Sequence, residues 1–103
     1  KQGGNMEFLI EHKVKADSAD EAKTLRETFF AALNQNPDPE MLYRSMAKPD
    51  GVSFAHLGWF ADQDALTRFQ STDHFKAFSS ALPGVCEEGP QATPLTGILT
   101  TKG

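Results

Sequence analysis

His12, His56 and Tyr43 are the residues of this 103-residue chain whose type and setting best suit chemistry. Each histidine interrupts an otherwise apolar strand face: His12 follows Phe8 and Ile10 at alternate positions, and His56 lies between Phe54 and Phe60. A partly buried imidazole with a pKa near 7 suits removal of a proton from an acidic phenol or an activated C–H. The requirement is reach, about 2.6–3.2 Å to that proton. The competing reading of each is a core histidine hydrogen-bonded to a neighbour or to water. Tyr43 is the one tyrosine, and its hydroxyl can orient a substrate oxygen or stabilise developing negative charge. It reads equally as a core or interface residue with its tip in water. His74, at the start of a short helix, is a candidate substrate contact or an exposed first-turn residue. Arg44 and Arg68 either bind an anionic substrate or are solvated.

Metal and thiol chemistry find less support. Two imidazoles with a carboxylate suit non-haem iron, but Glu11 and Glu40 do not join that face and no HxH or HxxxH spacing occurs, so no metal is expected. Cys86 is the one cysteine, which excludes an intramolecular disulfide, and its neighbours Glu87 and Glu88 disfavour a thiolate. It reads as inert. With 10 Lys+Arg against 14 Asp+Glu, the net charge of −4 argues against nucleic acid or an anionic membrane as partner. No apolar run is long enough to span a bilayer and no secretory leader is recognisable, so the expectation is a cytoplasmic protein.

The elements that must position these residues follow from periodicity. Residues 1–5 precede Met6 and read as an expression remnant, leaving 6–103 as a single domain. Phe8, Ile10, His12 and Val14 alternate as a half-buried strand. Ser18 with Glu21 forms a capping-box pattern ahead of a helix from Ala19 to Asn34, carrying Ala22, Leu25, Phe29, Ala32 and Leu33. Asn36-Pro37-Asp38-Pro39 stops that helix, and a second strand is predicted over Met41–Ala47. Lys48-Pro49-Asp50-Gly51 is a hairpin turn into a third strand, Val52–Phe60. Asp62 or Asp64 caps a short helix with Ala65, Leu66 and Phe69. Ser71 or Thr72 caps another with Phe75, Phe78 and Leu82, ended by Pro83-Gly84. Residues 85–93 read as a loop and 94–100 as the last strand.

The order β-α-β-β-α-β is that of the ferredoxin-like α+β fold, a four-stranded antiparallel sheet with its helices on one face and strands one and three central. Strand three is apolar on both faces, with Leu57 and Trp59 opposite the helices. That uncovered face, joined by Leu9, strand-two residues and Ile98 or Leu99, is too large a patch for a monomer to leave in water. A homodimer packed sheet to sheet, with Leu57 and Trp59 in the interface, is the expectation. The alternative is that the chain's own C-terminal residues cover Trp59.

From Gly51 to Leu99 the chain resembles the antibiotic-biosynthesis-monooxygenase-like proteins of the dimeric α/β-barrel superfamily. The resemblance rests on the aromatic closing strand three, Ala65-Leu66, the run Thr72-Asp73-His74-Phe75-Lys76-Ala77-Phe78, and Pro90 ahead of the last strand. In the haem-degrading relatives an Asn, a Trp and a His line the haem pocket where this chain resembles them with His12, Phe60 and Ser79. All three differ, so haem degradation is set aside. What the resemblance implies instead is a monooxygenase that needs no cofactor, oxidising a small aromatic or phenolic substrate in a cleft between sheet and helices. There His12 or His56 would be the base, Tyr43 the orienter, and Phe60, Phe75, His74 and Ser79 substrate contacts. The alternative is a non-catalytic dimeric barrel that binds a small hydrophobic metabolite or supports another protein. An open cleft holding both imidazoles favours the enzyme; Phe54, Phe60 and Phe75 filling that space would favour the alternative.

Overall fold

Alternating apolar residues and well-placed turn chemistry build most of the expected order. The computed structural model describes residues 5–101; apart from Asn5, the leading segment read as a remnant lies outside them. The strands are β1 (Met6–Val14), β2 (Met41–Ala47), β3 (Ser53–Phe60) and β4 (Cys86–Leu95), and the helices are α1 (Ala19–Gln35), α2 (Gln63–Gln70) and α3 (Asp73–Ala81). The sheet is antiparallel in the order β2-β3-β1-β4. The result is the ferredoxin-like α+β arrangement, with β1 and β3 central. Among the described residues no helix is long and apolar enough to cross a membrane.

Local chemistry explains the boundaries. Asp50 shapes the β2–β3 turn: its carboxylate accepts from the Val52 and Ser53 backbone N–H groups at 3.0 and 2.8 Å and from the Ser53 hydroxyl at 2.7 Å. These bonds hold the Asp50 carboxyl at about 2, below the usual range. The Asp62 carboxylate accepts from the Ala65 N–H at 2.9 Å and the Thr72 hydroxyl from the Phe75 N–H at 3.2 Å. Asp62 and Thr72 are therefore the caps of α2 and α3. The capping box at Ser18 does not form. A 3₁₀ turn over Ala16–Ser18 runs straight into α1, so Ser18 lacks the extended backbone of a capping residue, and its hydroxyl turns to Asp17 instead.

The last strand begins well before the expected Pro94, because Pro90 and Pro94 are tolerated on an edge. Each faces the helix side of β4, where Pro94 pairs with Phe8 and Ala92 with Ile10. The register shifts between Glu11 and Val14, a β-bulge at which Gly89 crosses the β1 backbone. Gly89 has φ +78°, and a Cβ there would sit 2.6 Å from the Glu11 carbonyl oxygen.

The sheet register sorts the side chains into two faces. Toward the helices come the rows Tyr43-Gly58-Phe8 and Ser45-His56-Ile10, and away from them Leu42-Trp59-Glu7-Leu95, Arg44-Leu57-Leu9-Thr93 and Met46-Ala55-Glu11-Gln91. Leu57, Trp59 and Leu9 thus share the open face as expected, and Leu95 takes the place given to Ile98 or Leu99. Those two lie beyond β4 and are 86% and 95% exposed, so they do not cover Trp59.

The two left-handed glycines separate backbone freedom from crowding. Gly51, also at φ +78°, has open space around it. Gly51→Ala should cost about 1–2 kcal/mol of unfolding free energy from the left-handed backbone alone. Gly89→Ala should cost clearly more, because the added methyl must also displace β1. Urea unfolding of the two variants checks the order; equal losses would mean that the β1–β4 crossing yields freely.

Candidate functional site

The helical layer is assembled on Phe29 of α1. Its ring stacks on Phe78 of α3 at 4.4 Å and 5°, and meets Tyr43 edge-on at 5.6 Å and Phe69 of α2 at 6.1 Å. These contacts use up one side of the aromatic layer. The other side is open: between the sheet and α2–α3 lies a cleft of about 310 Å³. Phe8, Ile10, Tyr43, Phe60, Pro90 and Ala92 form its sheet wall, and Leu66, Phe69, Gln70, Phe75, Phe78, Ser79 and Leu82 its helical wall. Phe60 and Phe75 stand as walls and do not fill it, while Phe54 lies elsewhere in the sheet.

The cleft is almost wholly apolar. Its side-chain polar groups are the Tyr43 hydroxyl, the Gln70 amide and the Ser79 hydroxyl, the last of which also donates to the Lys76 carbonyl at 3.3 Å. Gly58 explains the seat of Tyr43: a Cβ at that position would lie 3.2 Å from both the Tyr43 and Phe60 rings. Burial pushes the Tyr43 phenol up to about 12, so at neutral pH it is a hydrogen-bond donor and not a base.

Neither imidazole expected in this cleft lines it. His12 and His56 are buried behind Tyr43, on the side of the sheet covered by α1. The His56 ring is 5.7 Å from Tyr43 and 5.1 Å from His12, and His12 stacks on Phe54 at 5.5 Å. Arg26 of α1 lies over the other part of this cluster, its guanidinium carbon 4.2 Å from the Phe54 centroid. Both ring nitrogens of each histidine, and Nη1 of Arg26, are buried without a hydrogen-bond partner among the described residues. Burial pulls both imidazoles below their ordinary value, His56 to about 4, with Arg26 acting in the same direction on each. Both are neutral at pH 7, short of the pKa near 7 that a resting base would use.

The remaining candidates scatter. His74 faces a separate recess with Leu33, Met41 and Arg68. Arg68 is engaged by Asp38 at 3.1 Å and Glu40 at 2.8 Å, and Arg44 lies on the open face. Burial raises the Cys86 thiol against an opposing pull from Lys15, so burial and not its acidic neighbours keeps it protonated. Sequence reasoning missed Pro90 and Ala92 as cleft wall and Arg26 as part of the buried cluster. Each had a signal: Pro90, Ala92 and Pro94 alternate with larger side chains, and Arg26 falls inside the apolar stripe of Ala22 and Phe29.

No protein-family model and no curated protein matches this sequence. Solved structures do. Rv0793 from Mycobacterium tuberculosis aligns with a TM-score of 0.84 at 10% identity, over 96% of this chain and 100% of that one. A Caulobacter crescentus protein described as a candidate antibiotic biosynthesis monooxygenase gives 0.78 at 24%, over 93% and 92%. SnoaB, a cofactor-independent oxygenase from Streptomyces nogalater, gives 0.74 at 16%, over 95% and 97%. At such identities the likeness is one of fold, and the fold is the antibiotic-biosynthesis-monooxygenase-like one that the sequence resembles.

The buried histidines make stability pH-dependent. The unfolded chain takes up a proton at His56 below pH 6.5, whereas the folded chain does so only near 4. Stability is therefore full above about pH 6.5 and falls as pH drops through that window, by roughly 3 kcal/mol for His56, with His12 adding in the same direction. Urea unfolding between pH 7.5 and 4.5 should show this decline, and His56→Gln should flatten it. A wild-type midpoint unchanged down to pH 5 would show that the imidazoles charge without penalty.

Proposed function

We propose that this protein is a cofactor-independent monooxygenase that oxidises a small, electron-rich aromatic or phenolic compound in the cleft between sheet and helices. The observation that carries this reading is the cleft itself: an aromatic, almost wholly apolar cavity with Tyr43 in its wall. Its volume of about 310 Å³ sits at the low end for small-molecule sites, roughly 300–1,000 Å³, and suits one to three fused rings. The likeness in fold to SnoaB, a cofactor-independent oxygenase, supports the same class of reaction.

The chemistry balances without an external reductant. Loss of a proton from an activated CH₂ or phenol leaves a carbanion, which reduces O₂ by one electron, and recombination forms a C–O bond. Departure of water then leaves C=O. Two C–H bonds are lost, one C=O is gained, and all four electrons taken by O₂ come from the substrate. The protein's part is to exclude water, align the ring against Phe60, Phe75 and Phe78, and donate from Tyr43 to the oxygen that gains charge. Ser79 and Gln70 are the polar groups available to a second substituent.

One observation favours the second reading, a non-catalytic barrel holding a hydrophobic metabolite: the cleft wall includes no carboxylate, imidazole or amine. Oxygen consumption separates the two. With anthrone-like or hydroquinone substrates the wild type should consume O₂, and Tyr43→Phe should lower kcat by about 10²-fold, the usual cost of losing one oxyanion donor. Undiminished turnover in Tyr43→Phe would remove the assigned role; tight binding without any oxygen uptake by the wild type would favour the second reading.

Two copies closing over their open sheet faces complete the proposed working unit. Leu42, Leu57, Trp59, Leu9 and Leu95 supply apolar surface at about 25 cal/mol per Å² buried. Glu7, Glu11 and Arg44 on the same face give it both signs of charge, which lets the face be complementary to a second copy of itself. Trp59→Glu should shift the species seen by light scattering from dimer to monomer. A dimer of unaltered mass and affinity would place the contact elsewhere.

A further inference from the structure

We propose that the Tyr43 ring sets the length of the ligand that the cleft admits, by closing the cleft off from a second recess. The inference rests on reading the cleft as the seat of a flat aromatic compound. Tyr43 is the one residue, among the described residues, that lines both the cleft and a recess of about 210 Å³ between α1 and β2. Phe30, Leu33 and Met41 supply apolar wall to that recess, and Asn34 and Asp38 polar wall. Asp38 is already held by Arg68 at 3.1 Å, so what the recess offers an aromatic ring is its apolar side. The Phe30 ring lies 5.8 Å from the Tyr43 ring, and the Phe69 ring, in the cleft wall, lies 5.4 Å from it. The Tyr43 side chain thus stands between the two spaces.

Packing makes this ring a fixed wall. Besides Phe30 and Phe69, Phe29 meets it edge-on at 5.6 Å and His56 lies at 5.7 Å. To swing aside it would have to displace Phe29, which also stacks on Phe78 at 4.4 Å. Gln70, Ser79, Pro90 and Ala92 are the exposed part of the cleft wall. A ring too many for the cleft therefore stays among them in water, where it adds little affinity. With the Tyr43 ring removed, the same added ring is buried against Phe30 and Leu33, which is worth about tenfold or more in affinity.

The role is separable from that of the hydroxyl. Tyr43→Phe keeps the wall and loses the donor; Tyr43→Ala loses both. General loosening of the cleft weakens ligands of every length together, so the quantity that reports the partition is the preference between two lengths.

The test measures dissociation constants of 9,10-anthraquinone, with three rings, and 5,12-naphthacenequinone, with four, for wild type and both variants. The preference for four rings over three should rise at least about tenfold in Tyr43→Ala and stay within about twofold of wild type in Tyr43→Phe. The same preference in all three proteins would overturn the partition. If Tyr43→Ala does not fold, Tyr43→Leu, which keeps an aliphatic group in the core, takes its place with the same outcomes. Backbone amide spectra of the wild type test the wall without any variant. The four-ring quinone should shift Gln70 and Ala92 and leave Leu33 and Asn34 where they were; shifts at Leu33 and Asn34 would mean that the ligand passes Tyr43, and would overturn the proposal. Neither quinone needs to be oxidised, so failure of the monooxygenase reading looks different: the length rule holds in binding while no anthrone consumes O₂. Wild type that binds neither quinone would remove both.

Discussion

Phe29 is the contact on which the helical layer depends. It reaches from α1 to stack on Phe78 and to meet Phe69 and Tyr43, so one ring ties three helices to β2. Each such aromatic pair contributes about 0.5–1.5 kcal/mol beyond its buried area. The consequence is geometric as much as energetic. Phe78, Phe69 and Tyr43 present one side to Phe29 and the other to the cleft, so the cavity stays open because its walls are held from behind. A cleft walled by rings that could rotate inward would collapse on itself, given how strongly interiors favour dense packing.

The sheet divides labour between its faces along the period-2 alternation of its strands. Positions 43, 58 and 8 form a row under the cleft, while 42, 59 and 7 form the neighbouring row on the open face. Gly58 and Trp59 illustrate the contrast. At one position the absence of a side chain lets the Tyr43 ring lie close to the sheet; at the next the largest side chain in the chain stands on the open face, partly exposed. The cleft side and the open side of the sheet are thus set by adjacent residues, and a register slip of one would exchange them.

How much of this was legible depended on whether the controlling signal was local. Strand alternation and turn chemistry at Asp50-Gly51 were, and they yielded the fold, the order of strands and the open face carrying Leu57 and Trp59. Glu87-Glu88-Gly89-Pro90 misled, since charge, glycine and proline in succession describe a loop. An edge strand tolerates the same residues because one side of its backbone needs no partner. The lateral position of a pocket was not legible. His56 and Tyr43 sit on the same sheet face, and only the placement of α1 over one and α2–α3 beside the other decides which looks into the cleft. That placement comes from Phe29, Phe69 and Phe78 meeting across the chain, which helical spacing alone does not specify.

The strand order also sets a schedule. β1 is made first, yet its neighbours are β3 and β4, so the earliest segment waits for the latest to complete its ladder. During synthesis β2 and β3 can close as a local hairpin at Asp50 while Phe8, Ile10 and Leu9 remain without one flank until Cys86–Leu95 leaves the ribosome. Long-range pairing of this kind is slow to form and exposes apolar strand edges meanwhile. The part of the cleft's sheet wall that β1 and β4 supply is therefore the last to be completed. A nascent chain lacking its final strand has its helices and its hairpin but a cleft without the Pro90 and Ala92 wall.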